Sequence, residues 1–345
     1  MNQLQSDPRN FQFNVISGET ISRILNDDLD GCIDVVRQAY LAHSDGLTVN
    51  PPSIFLRFED KPTARIIGLP AHVQRPSALS GIKWIASYPD NARQGFPRAS
   101  AVLILNDHET GYPFACMEGS IISAARTAAS AVLAAQELSS TDRHADRLLV
   151  VGNGLIARYI YRFLMGTGWK IKNVVLYDLD PSTSQRFAEA ICDGRRHDSV
   201  TIAPDLPSAM MDSDLILFTT VAGKPHVHDR SLLRHNPLVL HVSLRDLAPE
   251  LLLDACNIVD DVDHVMHADT SPHLAEKLTG NRDFVAGTIS DVVRGRVGRD
   301  PERPTIFSPF GLGVLDIAVG KWVFDRAIQD QAQIAIQGFF HDLER

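Results

Sequence analysis

Cysteine is scarce in this chain: Cys32, Cys116, Cys192 and Cys256 are the only four in 345 residues, and no two form a Cys-x-x-Cys pair. That excludes a disulfide-stapled scaffold and a thiolate zinc site. A basic surplus is missing too, since 42 Asp and Glu outnumber 33 Lys and Arg for a net charge of −9. Such a chain has no electrostatic reason to bind nucleic acid or an anionic membrane. No apolar stretch reaches the ~20 uncharged residues of a membrane span. The first eight residues, Met1 to Pro8, lack the basic and apolar regions of a signal peptide. The expectation is a cytoplasmic protein, with room for about two domains.

What is present is a nucleotide-binding pattern. The apolar run Leu148 to Val151 enters Gly152-Asn153-Gly154-Leu155-Ile156-Ala157, a Gly-x-Gly-x-x-Ala turn, and a helix-compatible segment follows. A second apolar run closes on Asp178. This is the sequence form of a βαβ dinucleotide unit. Gly152 allows the tight turn, Gly154 lets the backbone approach a pyrophosphate, and Ala157 lets the helix pack on its strand. The helix N-terminus then faces the phosphates. Asp178 can accept hydrogen bonds from both ribose hydroxyls and would repel a 2′-phosphate, so NAD(H) is expected over NADP(H). Further strands are expected at 200–202, 214–220, 238–243 and 257–259, which implies a parallel sheet covered on both faces. Thr219, Thr220, Ser243 and Leu244 join the candidate cofactor residues.

The region before the glycine turn reads differently. Leu25, Leu29, Ile33 and Val36 predict a helix over 15–41. Strands are predicted at 53–58, 64–69, 81–86 and 101–106, with a hairpin turn leading into 112–118. An alanine-rich helix over 120–135 ends at a polar linker, 139–143. A final helix is predicted from Ile317 to about Ala335. The fold class is therefore α/β: a Rossmann-type doubly wound parallel sheet plus an α+β dimerisation and substrate domain. The expected boundaries are 1–125 with 321–345, and 126–320.

Two cations stand out. Lys83 interrupts an apolar strand, as a snorkelling edge lysine or as a functional cation. Arg126 lies among Ala124, Ala125, Ala128 and Ala129, either in a buried ion pair or as a carboxylate clamp, for which a guanidinium is geometrically suited. Asp260, Asp261, Asp263 and His264 offer metal-ligand atoms. Strand alternation would scatter them over two faces, so a loop lining the cleft is expected and no metal.

Gly81-Ile82-Lys83, Pro89, Asn91, Gly95, Leu105 to Pro113, Arg126 to Ala129 and the glycine turn resemble the ornithine cyclodeaminase/μ-crystallin family, in order and spacing over roughly residues 15–330. The resemblance implies a two-domain homodimer performing NAD-linked chemistry at an amino-acid α-carbon. It implies that Lys83 and Arg126 hold the substrate carboxylate and that Arg98, with Arg126 and Thr127, lies at the cofactor. The chain departs from the cyclodeaminases after its fifth nucleotide-domain strand. There they carry Gly-x-Asp-x-Pro-Gly-Lys, with the Asp as acid/base, whereas this chain has Ser243-Leu244-Arg245-Asp246. The family's first carboxylate arginine, near residue 53, is also absent, and Arg57 is the candidate replacement on the same strand face. Pro97 to Ser100, Ser243 to Asp246, Asp260 to His264 and Ser308 to Gly313 resemble the branch that makes 2,3-diaminopropionate, the type known from siderophore assembly, and the product could feed a siderophore or a peptide antibiotic. That resemblance implies oxidative hydrolysis of a glutamate–diaminopropionate conjugate, with Phe310 walling the pocket and either Asp246 or a neutral lysine activating water. Ornithine cyclodeamination, a simple amino-acid or ketimine dehydrogenase, and a non-catalytic NAD-binding protein are the alternatives.

Overall fold

The computed structural model describes residues 12–74, 78–139, 142–192 and 196–340. The leader-free reading of residues 1–8, positions 140–141 of the expected linker and positions 341–345 of the expected C-terminal segment lie outside them. The chain divides into two compact units, Met1–Arg126 with Leu312–Arg345, and Thr127–Gly311.

The first unit opens with strand β1 (Phe13–Ile16) and helices α1 (Gly18–Asp27) and α2 (Leu29–Ser44). This replaces the single helix predicted over 15–41. Two caps divide it: the Ser17 side chain accepts from Thr20 N, and the Asp28 side chain accepts from Gly31 N. Each satisfies a first-turn donor and so starts a new helix. Leu25, Ile33 and Val36 are buried, as their spacing demands. Strands β2 (Thr48–Val49), β3 (Ile54–Arg57), β4 (Arg65–Val73), β5 (Leu79–Ser87), β6 (Ala99–Asp107) and β7 (Pro113–Glu118) follow, then α3 (Gly119–Leu138). The turn between β6 and β7 is held by Asp107 Oδ1, which accepts from Thr110 N at 2.8 Å.

The second unit alternates strands and helices: β8 (His144–Val151), α4 (Leu155–Gly166), β9 (Lys170–Tyr177), α5 (Pro181–Ile191), β10 (Ser199–Ile202), α6 (Leu206–Met211), β11 (Leu215–Phe218), β12 (Leu238–His241), α7 (Pro249–Leu253) and β13 (Cys256–Val259). It closes with α8 (Val262–Val265), α9 (Ser271–Thr279), β14 (Val285–Thr288), α10 (Ile289–Val293) and β15 (Thr305–Ser308). Its sheet runs β10-β9-β8-β11-β12-β15-β13-β14, every pair parallel. Every residue of β11, β12, β13 and β15 is buried, as a sheet covered on both faces requires. The order reverses direction at β8, and that switch point is where an open α/β sheet binds its ligand. Strands β14 and β15 were not anticipated. Four residues within a Gly- and Pro-punctuated stretch are too short for periodicity to reveal.

The chain then returns to the first unit with α11 (Gly313–Gln329) and β16 (Ile334–Ile336). The final helix thus ends earlier than the predicted Ala335, which instead pairs with Asn14 in the antiparallel β16–β1 ladder. The sheet order is β16-β1-β7-β6-β5-β4-β2, with β3 also on β4. Helix α11 packs on this sheet closely enough that a Cβ on Gly320 would stand 2.2 Å from Leu103 Cδ2.

Candidate active site

In the second unit the nucleotide groove is built from the glycine turn. Gly152 has φ +85°, and a Cβ there would lie 2.9 Å from the Thr219 carbonyl carbon and oxygen. Only glycine fits both demands. At Gly154 an added Cβ would meet nothing within 4 Å, so the main chain there stands open to an incoming group. Gly154 is also the N-cap of α4 and supplies no side-chain cap bond, so first-turn N–H groups are left for an anionic ligand. Ala157, in the first turn of α4, is fully buried.

Asp178 follows β9. Its Oδ2 accepts from Asn153 N at 2.8 Å and its Oδ1 from Asp180 N at 2.9 Å. Each oxygen keeps a lone pair for a hydroxyl. Thr219 Oγ1 donates to Gly152 O at 2.6 Å and ties the turn to the end of β11. A groove of about 610 Å³ is lined by Gly152, Gly154, Asp178, Thr219 and Thr220 among the expected cofactor residues, and by His226. Asn153 is instead buried, with its Nδ2 on Ser184 Oγ at 2.8 Å. Leu155 is exposed and Ile156 half-buried at the start of α4. Leu244 is buried at φ +69° against Val259, Val265 and Met266. Arg98 and Arg126 belong to the first unit, and Thr127 opens the second.

Asp246 is fully buried at the centre of a polar network. Its Oδ1 accepts from Thr220 Oγ1 at 2.5 Å and pairs with His226 Nε2 at 3.0 Å. Its Oδ2 accepts from the Ser243 hydroxyl. The main-chain N–H groups of His226 and Val227 both donate to Asp246 O at 2.9 Å. Behind it, Asp246 N donates to His241 Nε2 at 3.2 Å, and His241 Nδ1 meets Ser308 Oγ at 3.2 Å. Burial alone would raise the Asp246 pKa, but its hydrogen bonds with His226 and Ser243 and its closeness to His241 overcome it and hold the carboxyl well below its usual range. A carboxylate so low and so fully engaged is a poor proton acceptor. The arrangement suits a group that anchors the groove-lining His226. Sequence reasoning passed over His226, whose only signal was its place in a loop after a buried strand.

The acidic run near residue 260 is likewise not on a strand. Asp260 is buried and accepts from Phe310 N at 2.9 Å, Gly311 N at 2.7 Å and Asp261 N at 3.0 Å. Burial pushes its pKa up, and these N–H groups pull against that. Asp261 caps α8 by accepting from His264 N at 2.7 Å. Asp260 thereby sets the loop carrying Phe310, whose ring meets His264 edge-on at 6.3 Å. Among the described residues no cluster of three or more His, Cys, Asp or Glu is poised to hold a metal ion.

In the first unit Lys83 sits on β5, with β4 and β6 on either side, and is 2% exposed. It is no snorkelling edge lysine. Its Nζ donates to Asp316 Oδ2 at 2.7 Å and Ser123 Oγ at 3.0 Å, while Arg126 Nε donates to Asp316 Oδ1 at 3.1 Å. The buried ion pair considered for Arg126 is therefore present, and the same carboxylate engages Lys83. Burial lowers the Lys83 pKa to about 8; Asp316 pulls it up and Arg126 pushes it down. Asp316 is itself buried, but Arg126 and Lys83 draw its pKa below normal. It was missed in the sequence, although an acid inside Gly313-Val-Leu-Asp-Ile-Ala-Val-Gly320 is an anomaly that calls for a buried partner. Arg57 lies on β3 with its guanidinium 5.2 Å from the Phe55 ring centre.

Comparison with known proteins places this architecture. Residues 20–331 match the ornithine cyclodeaminase/mu-crystallin family. The chain belongs to that family. Among curated relatives, the N-((2S)-2-amino-2-carboxyethyl)-L-glutamate dehydrogenase of Staphylococcus aureus (strain NCTC 8325 / PS 47) is 29% identical, over 86% of this chain and 90% of that protein. An archaeal alanine dehydrogenase dimer solved with bound NAD superposes with a TM-score of 0.83 at 26% identity, covering 95% of this chain and 100% of that one. The Delta(1)-pyrroline-2-carboxylate reductase of Thermococcus litoralis, solved with NADH and L-proline, has a TM-score of 0.85 at 22% identity, covering 94% and 100%. Within the family fold, this member combines a dinucleotide groove in one unit with a carboxylate-centred cation pair in the other.

Proposed function

We propose that the protein is an NAD-dependent dehydrogenase that oxidatively hydrolyses N-((2S)-2-amino-2-carboxyethyl)-L-glutamate to 2-oxoglutarate and L-2,3-diaminopropionate. The observation that carries this reading is the convergence of Lys83 and Arg126 on one carboxylate, Asp316, in a chain whose Staphylococcus aureus relative bears that substrate in its name. Two cations already arranged around a carboxylate can offer their remaining N–H groups to a second one, the substrate's. The groove fits the dinucleotide. Gly154 leaves the main chain bare, α4 offers uncapped N–H groups, and Asp178 stands ready for the ribose. Bound there, NAD+ supplies the hydride acceptor for the glutamate α-carbon.

The balance of the reaction follows from the substrate. Loss of hydride from carbon and of a proton from nitrogen leaves an imine. Water adds to the imine carbon, the nitrogen takes a proton, and the C–N bond breaks as the carbonyl forms. In this scheme Lys83 and Arg126 orient the carboxylate beside the reacting carbon. Asp246 acts through His226, fixing its ring and loop.

The protein is further proposed to work as a homodimer. Register aligns Ile54, Gly68, Trp84 and Val102 in one row across β3, β4, β5 and β6. Ile54, Trp84 and Val102 of that row are exposed, an apolar face of the kind that partners cover.

The test is one cuvette and one amino-acid analysis. With the conjugate and NAD+, absorbance of NADH should rise with one 2-oxoglutarate formed per NADH. Proline from ornithine, with no NADH from the conjugate, would replace this reading with cyclodeamination.

A further inference from the structure

One face of the first unit's sheet carries more positive charge than Lys83 alone. Antiparallel register sets Arg57 directly opposite Arg65, and Arg65 opposite Ser87. Residues directly opposite share a face, as do residues two and four apart on one strand. Arg57, Arg65, Ser87 and Lys83 therefore all lie on the side that α11 covers. Helix α11 reaches that face near its own start: a Cβ on Gly313 would lie 3.3 Å from Ala71 Cβ and 3.5 Å from Leu69 Cβ. Further along β4, Ile67 and Arg65 are half-buried and Arg57 is exposed. The cationic end of the face thus lies beyond the residues the helix start covers.

Two arginines set opposite each other on neighbouring strands bring like charges to one side of the sheet. A third joins them. Tyr88, next to Ser87, donates its N–H to Arg98 O at 2.8 Å, which puts the exposed Arg98 beside the Ser87–Arg65 row. Partial burial, and then the Arg65 charge, lower the Arg98 pKa. Among the described residues none of the three is within ion-pair distance of an acid. Arg65 Nε is buried with no hydrogen-bond partner at all. Arg57 and Arg98 are exposed and Arg65 is half-buried, so the cluster stands open to an incoming anion, and Arg65 brings an unused buried donor to it.

We propose that Arg57, Arg65 and Arg98 form a second anion subsite, which recognises the carboxylates that a dicarboxylate or tricarboxylate ligand carries beyond its α-carboxylate. This rests on the reading that Lys83 and Arg126 take the α-carboxylate, and it makes the arginine cluster the determinant of substrate class. Four residues of strand separate Lys83 from the Ser87–Arg65 row, about 13 Å of main chain. Long guanidinium side chains shorten that span, and each can engage a carboxylate bidentately. The subsite moves Arg98 from the cofactor, and Arg57 from the family's first carboxylate position, where the resemblance put them, to the substrate's further carboxylates.

The experiment compares two probes on the NADH-bound protein by titration calorimetry: 2-oxoglutarate, with two carboxylates, and pyruvate, with one. The unaltered protein should bind 2-oxoglutarate at least about tenfold more tightly, the worth of one charge-assisted contact. Arg65→Met should bring the two affinities to within about threefold while leaving those for pyruvate and NADH unchanged. Arg65→Lys, which keeps the charge and loses the fork, should restore part of the preference and serves as the check if Arg65→Met folds poorly. A preference that survives in Arg65→Met, or an equal loss for both probes, overturns the subsite. If the preference exists and collapses as stated while the glutamate conjugate yields no NADH, the subsite stands and the proposed reaction falls.

Discussion

Lys83 and Asp316, 233 positions apart in the chain, meet at 2.7 Å with both side chains buried. A lysine in that setting would ordinarily surrender its proton, and it retains a pKa of about 8 because burial is opposed by the Asp316 charge. Asp316 is in turn held ionised by two cations. The three groups are one electrostatic unit, and removing Asp316 leaves both cations uncompensated.

Asp316→Asn should therefore be costly, by about 3–5 kcal/mol of folding stability, because two buried cations lose their counter-charge. Chemical denaturation measures it. Lys83→Met combined with Asp316→Asn should cost less than the sum of the two single changes. Strict additivity would mean that the pair does not interact.

The pH dependence of carboxylate binding follows from Lys83. Its folded-state pKa is lowered to about 8, so its charge is present below that value and lost above it. Affinity for pyruvate should be level at lower pH and weaken as pH rises through about 8, by up to about tenfold per unit. The stability term has the opposite slope. Between about 8 and the ordinary lysine value of 10.5 the unfolded chain binds more protons, so the cost of burying the charge is relieved as pH rises. In Lys83→Met, affinity should be weak and level across the same range. An unchanged pH profile in that variant would remove Lys83 from carboxylate binding.

Cofactor choice rests on Asp178. NAD(H) should bind at least about tenfold more tightly than NADP(H), roughly 1.4 kcal/mol. Asp178→Ser, which removes the charge facing a 2′-phosphate, should narrow the gap. Equal affinities in the unaltered protein would sink the argument.

The two glycines of the turn should respond in opposite ways to alanine. Gly152→Ala meets main chain at 2.9 Å with φ at +85°, so it should destabilise the fold by at least about 1–3 kcal/mol through strain alone. Gly154→Ala meets nothing within 4 Å and should fold normally while binding NAD more weakly. Thermal unfolding with and without NAD separates the two, and a Gly154→Ala protein that binds NAD normally would argue against pyrophosphate approach at that point.

Much of the site was legible where chemistry is local. Gly152, Gly154 and Asp178 follow one another at the spacing a βαβ turn imposes, so a linear pattern reveals them. Lys83 and Arg126 were conspicuous as charges among apolar neighbours. Asp316 and Arg65 act through pairings set by long-range packing and strand register, which no local pattern encodes. The same limit explains the helix boundaries: the apolar period across 15–41 is real, but Ser17 and Asp28 divide it by capping. Asp246 stands out in the sequence through a motif that departs from the family, while its hydrogen-bond partners Thr220, His226 and His241 come from three different loops and strands.

The β1–β16 ladder has a bearing on biogenesis. Phe13 pairs with Ile336, so the first unit is made in two instalments with the whole of the second unit synthesised between them. Until the last part of the chain leaves the ribosome, β1 has an open edge that another strand could occupy. Lys83 and Arg126 meanwhile have no Asp316 to neutralise them. The second unit, contiguous from Thr127 to Gly311, faces neither delay. It is expected to fold first, leaving the first unit as the part that chaperones guard and that misassembles when synthesis is interrupted.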